Sequence, residues 1–151
     1  MKQRARAYLP SEIRELGWAV AEGQTDAYPF QVRYRCFLPD FPRSDYPIRL
    51  NVFWEMAHPL ENGLASSADI PIMQAFEDKM VHALEPNGTG ILTAILTGRG
   101  EREFIFQTRS IEDFSNCLHA IPQEAQPFPI KIFSSDDPDW KYFQGLIGEN
   151  W

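Results

Sequence analysis

The chain has 151 residues, the length of one compact domain, and its 44% hydrophobic and 23% charged residues strike a globular balance that excludes a disordered or fibrous chain. Lys and Arg number 14 against 21 Asp and Glu, a formal net charge of −7 that argues against a phosphate-backbone binder, which needs a basic patch. Aromatic residues reach 13%, enough to fill a core.

The first six residues are basic, but no apolar stretch follows them as in a leader. No run of about 18 apolar residues appears that would span a bilayer. Residues 1–13 are expected to be a flexible segment of a single domain spanning 1–151. Residues 16–21 and 30–38 read as strands joined by the polar, turn-prone stretch 22–26. On the second of these, Phe30, Val32, Tyr34 and Cys36 alternate with Gln31, Arg33 and Arg35. The proline-rich stretch 39–47 is a loop. Residues 48–54 follow as a third strand, with Ile48, Leu50, Val52 and Trp54 inward and Arg49, Asn51 and Glu55 outward.

After a loop at 58–67, a helix is predicted over 69–85. Ile72, Met73, Phe76, Met80, Ala83 and Leu84 form its buried stripe, and Pro86-Asn87-Gly88 stops it. Residues 90–97 and 102–108 read as strands joined by a turn at 98–101. Ser110 caps a second helix whose stripe is Ile111, Phe114, Leu118 and Ile121. Residues 128–133 form a last strand, suited to a sheet edge by Pro129. Asp137-Pro138 then opens a short helix carrying Trp140, Phe143 and Ile147 on one face. From the third strand onward the order is strand, helix, strand, strand, helix, strand. The expected class is therefore α+β, with a ferredoxin-like split βαβ core, an N-terminal β-hairpin extension and a short C-terminal helix packed on one sheet. The place of the hairpin in the sheet stays open, because the third strand cannot pair with it and also keep both of its ferredoxin-like neighbours.

Trp18, Tyr46-Pro47, Trp54, Phe76-Glu77-Asp78, Thr97-Gly98, Arg102-Glu103 and the closing Asp137-Pro138-x-Trp140-x-x-Phe143 together resemble the domain-of-unknown-function family numbered 695, over roughly residues 14 to 147. That family usually closes on Asp-Pro-x-Trp-x-x-Tyr. Here Phe143 takes the last place and Tyr142 precedes it, displacing a hydroxyl by one position. The family in turn is similar, more distantly, to the bacterial regulator of ribonuclease E activity B, a small acidic protein that binds an enzyme. The resemblance implies the fold and a binding role, and it carries over no catalytic or ligand residues.

Candidate chemistry is sparse. His58, in a loop with Glu55 and Glu61 close in sequence, has the pattern of a general base. His82 with Asp78 and Glu85 reads as an exposed ion-pair face of the first helix. Cys117 and His119, two apart on a helix, point away from each other. Cys36 and Cys117 have no ligand or CxxC spacing, so two buried thiols in a reducing cytoplasm are expected, with no metal and no cofactor. Asp136, Asp137 and Asp139 lack the spacing of a calcium loop, whereas Asp137 as a cap and Pro138 as first helical residue account for them. Arg33, Arg35 and Arg49 read as an outward arginine face, either pairing with Glu22, Glu55 or Glu103 or receiving an anion. The reading favoured is a non-catalytic protein-binding or regulatory module, such as an inhibitor or immunity-type binder of a basic enzyme. Its binding residues would be Glu77, Asp78, Glu85, Asp136 and Asp139, with Arg33, Arg35 and Arg49 as further candidates, and neither nucleic acid nor membrane would be a partner. The alternatives are a small hydrolase using His58 with Glu55 or Glu61, and a small-ligand receptor on the arginine face. Oligomeric state cannot be read from the chain.

Overall fold

The sheet is built around its two most buried strands. β4 (Gly90–Gly98) and β5 (Glu101–Thr108) are joined by Arg99 and Gly100, both at positive φ (52° and 79°), the conformation that tight hairpins require. β3 (Ile48–Glu55) pairs with the other side of β5, and β6 (Ile130–Asp136) pairs with β3. α2 (Ile70–Leu84) links β3 to β4 and α3 (Ile111–Ala120) links β5 to β6, which completes the ferredoxin-like split βαβ core. The hairpin of β1 (Trp18–Thr25) and β2 (Tyr28–Arg35) adds to the free side of β4. All six strands are antiparallel to their neighbours, in the order β1-β2-β4-β5-β3-β6. The connector after β2, with its 3-10 turn at Arg43–Asp45, therefore carries the chain from one side of the core to the other. This settles the competition for β3: the hairpin never meets it. The computed structural model describes residues 8–25, 28–122 and 126–148. Residues 1–7 of the expected N-terminal segment and Asp26 of the expected turn lie outside them.

Both faces of the sheet carry a core. On the first, Leu50, Val52, Trp54, Leu92, Ile95, Phe104 and Phe106 pack against Met73, Phe76, Met80 and Leu84 of α2 and Phe114 of α3. On the second, Ile91, Ala94 and Ile105 meet Trp140, Phe143 and Ile147 together with Phe41 and Tyr46 of the connector. Ile13 joins this second core from α1 (Pro10–Arg14), a helical turn inside the stretch expected to be flexible. Along β4, a bulge at Thr93 sends Ile91 and Ala94 to one face and Leu92 and Ile95 to the other. Strict alternation fails there because the strand is buried on both sides.

Four expectations about the core change. Ile72 and Ile111 are exposed, because each sits in the first turn of its helix, beyond the sheet it was expected to cover. Cys36 is exposed rather than buried, because β2 ends at Arg35 and the next residue leaves the covered part of the sheet. Cys117 is only half-buried. The last helix, α4 (Lys141–Ile147), starts later than the Asp-Pro signal suggests. Asp137 nevertheless caps it, its carboxylate accepting the N–H groups of Lys141 (2.8 Å) and Tyr142 (3.3 Å). Ser110 caps α3 as expected, accepting the Asp113 N–H at 3.1 Å.

Trp140 docks the last helix. It is fully buried, its ring meets Phe37, Phe41 and Phe143, and its Nε1–H donates to the Tyr46 carbonyl at 3.0 Å. Trp140→Ala should destabilise the fold by about 3–5 kcal/mol in urea denaturation, the usual effect of truncating a buried aromatic. A loss below about 1 kcal/mol would contradict this anchoring role.

Candidate functional site

The two faces of the sheet handle charge differently. On the first face, Arg33 pairs with Glu77 of α2 and Arg35 with Glu85 (2.9 Å), the residue that follows α2. The two guanidinium groups also stack on Trp18, 4.9 and 4.7 Å from its centroid. Arg102 lies in the same layer and donates to Thr97 at 3.0 Å. Burial lowers its pKa, Glu77 opposes that shift, and Arg33 adds to it. The expected exposed acidic face of α2 is thereby corrected. Glu77 and Glu85 are buried, because they turn toward the sheet to neutralise arginines of β2, and Glu85 also accepts the Leu92 N–H at 3.1 Å. Asp78 and His82 remain exposed.

The expected arginine face is corrected as well. Arg33 and Arg35 lie under α2, whereas Arg49 lies on the opposite face, so the three form no common surface. Pairing does hold for each of them, though with helix and loop carboxylates rather than Glu22, Glu55 or Glu103. Arg49 donates to Asp137 (3.0 Å) and to Asn51 (2.8 Å), and stacks 4.5 Å from the centroid of Tyr142. From Asn51 the network continues to Glu103, whose Oε2 accepts Asn51 Nδ2 at 2.6 Å and the Tyr142 hydroxyl at 2.7 Å. The hydroxyl displaced by one position in the closing motif thus has a defined partner. Burial and the Glu103 carboxylate raise the Tyr142 pKa well above the ordinary phenol value, so it remains a donor.

Glu103 also lines a cavity on this face. The strand registers align Val32, Leu96, Glu103 and Phe53 in one row across β2, β4, β5 and β3, with Phe30, Gly98 and Glu101 in the next. α1, α4 and the connector cover the sheet above these rows, and below that cover lies an open pocket of about 610 Å³. Gly145 and Leu146 of α4 form one wall, and Tyr28 and Arg99 stand at the rim. Two glycines beside this floor bring the backbone close to Phe30. A Cβ at Gly23 would lie 2.3 Å from the Phe30 ring, and one at Gly98 would lie 3.2 Å from Phe30 Cβ. An apolar cavity with a few convergent polar groups is the usual form of a binding site. Sequence reasoning did not single it out. Its one signal was Glu103, a charged residue directly preceding the apolar run Phe104-Ile105-Phe106.

The remaining candidates are dispersed. His58 is exposed, and its backbone N–H donates to Asp69 at 2.8 Å. Among the described residues no hydrogen bond joins it to Glu55 or Glu61, which are also exposed. Asp136 and Asp139 are exposed, while Asp137 between them is buried in its capping role. Among the described residues no group of three or more His, Cys, Asp or Glu side chains is arranged to hold a metal ion. No described helix is long and apolar enough to cross a membrane.

The contrast between buried and exposed acids is directly measurable. Glu85→Ala strands the buried Arg35 and should destabilise the fold by about 3–5 kcal/mol, whereas Asp78→Ala should stay within about 0.5 kcal/mol. Equal effects in urea denaturation would contradict the assignment. Tyr142 adds a pH dependence. Its folded pKa lies above the unfolded value near 10, so its contribution is complete below that pH and disappears as pH rises beyond it. Denaturation curves between about pH 9 and 11.5 should show stability falling in the wild type and falling less in Tyr142→Phe.

No curated protein and no solved structure matches this chain. The profile of one family, DUF695, described as a family of unknown function, matches residues 17–147. That match does not extend to the ribonuclease E regulator, so the more distant similarity gains no support. The match takes in all six strands and the helices α2, α3 and α4, and the chain belongs to the DUF695 family.

Proposed function

We propose that this chain is a non-catalytic binding module that recognises a basic protein partner through the uncovered half of the sheet's second face, acting as a regulator or inhibitor. The observation that carries the reading is the 610 Å³ pocket, with an apolar floor and the buried Glu103 carboxylate within it. Acidic recognition then rests on Glu101 and Glu103, with exposed acids such as Asp78, Asp136 and Asp139 supplying a long-range field, rather than on Glu77 and Glu85. The net charge of −7 favours encounter with a basic surface. Two unpaired cysteines suit a reducing cytoplasm. The hydrolase alternative has less support, because His58 has no carboxylate bonded to its ring among the described residues and stands on an exposed loop.

Gly145 provides the test. A side chain added there meets open space and projects at the pocket wall, so Gly145→Trp should block the pocket while leaving the fold intact. Affinity capture from native lysate should retain a basic protein on the wild type and lose it on Gly145→Trp. Raising salt from roughly 0.05 to 0.5 M should slow association of that partner more than it speeds dissociation. A partner captured equally by both proteins would overturn the reading, as would a turnover abolished by His58→Ala.

A further inference from the structure

Of the five buried carboxylates of the described residues, three are neutralised by an arginine, Asp69 stands at the positive N-terminal end of α2, and Glu103 has neither. Glu77, Glu85 and Asp137 each have an arginine, and Asp69 accepts the His58 N–H and the Ser66 hydroxyl. Glu103 is only 5% exposed, yet it receives neutral donors alone, Asn51 and Tyr142, and both reach the same oxygen, Oε2. Among the described residues Oε1 accepts no hydrogen bond, and no cation lies within ion-pairing distance of the carboxylate. A buried charge without a counter-charge is costly, and the cost falls when a ligand brings one. The nearest chemistry at the rim does not bring it, since the Arg99 guanidinium stacks on Tyr28 at 5.2 Å.

We infer that this pocket is a receptor for one arginine side chain of the partner, with Glu103 as its counter-charge and Asn51 and Tyr142 as the groups that hold the carboxylate in place. The inference rests on the binding reading above and specifies its ligand. An arginine stem of three methylenes matches the apolar row of Val32, Leu96 and Phe53, while its planar head meets a carboxylate set among aromatic rings. Guanidinium is less strongly hydrated than ammonium and stacks on aromatic faces, so arginine suits this enclosed site better than lysine. The protein already makes the same kind of contact within its own fold, where arginines stack on Trp18 and Tyr142. The charge of the network also fits: Arg49, Asp137 and Glu103 together leave one negative charge for the ligand to neutralise.

The test compares N-acetyl-arginine methylamide with its citrulline counterpart, which has nearly the same shape without the charge, by NMR titration of the wild-type protein. The arginine compound should bind at least about tenfold more tightly, the scale expected of a charged pair in a shielded site. Glu103→Gln should erase that preference, and Gly145→Trp should abolish binding of both compounds. If Glu103→Gln fails to fold, the wild-type comparison still decides. Equal binding of the two compounds, lost in Gly145→Trp, would overturn the cation assignment while leaving the pocket as the binding surface. Absence of binding by either compound at millimolar concentration would overturn the inference, whatever the lysate capture shows. Agmatine binding about tenfold more tightly than the arginine amide would overturn the assignment to a protein side chain and point to a free amine.

Discussion

Asp137 holds the second face of the sheet together. Its carboxylate takes the Arg49 guanidinium and the first N–H groups of α4, and its backbone N–H donates to the Pro47 carbonyl at 2.7 Å. Its own carbonyl accepts from Gln107 on β5. One residue thus ties the last helix to β3, to β5 and to the connector that precedes β3. With that end pinned, Trp140 and Phe143 lie over Ile91, Ala94 and Ile105, and Gly145 and Leu146 of the same helix form a wall of the pocket.

The connector after β2 has a comparable influence. Phe41 and Tyr46 are buried, so the loop that carries the chain across the sheet is itself part of the second core. Its prolines lack N–H groups, which lets a buried loop leave fewer donors to satisfy. By delivering β3 to the far side of β5, it frees the edge of β4 for the hairpin. Arg33 and Arg35 thereby come under α2, where Glu77 and Glu85 await them. The sheet order and the first-face ion pairs are therefore one decision.

Charge on this protein separates into an internal and an external part. Three arginines and three carboxylates neutralise one another inside the fold and offer nothing to a partner, even though the sequence presents them as strand-face and helix-face charges. Glu103 differs because its neighbours are a neutral amide and a phenol that burial keeps protonated. Its position on the boundary between the covered and the open half of the sheet makes it the buried charge that a ligand can reach.

The sequence alone determined the six strands, the helices α2, α3 and α4, the split βαβ order and the Ser110 cap. Each of these rests on local periodicity, capping or turn chemistry. It did not determine which charges are exposed. Glu77, Asp78 and Glu85 are all acids on one helix, and only the placement of β2 beneath that helix buries two of them and leaves the third in water. Cys36 and Ile72 similarly continue an apolar pattern past the point where the sheet provides cover. The pocket was invisible because Val32, Leu96, Glu103 and Phe53 lie on four different strands. They become neighbours only through the strand registers, a long-range outcome of the crossing connector that no local spacing encodes.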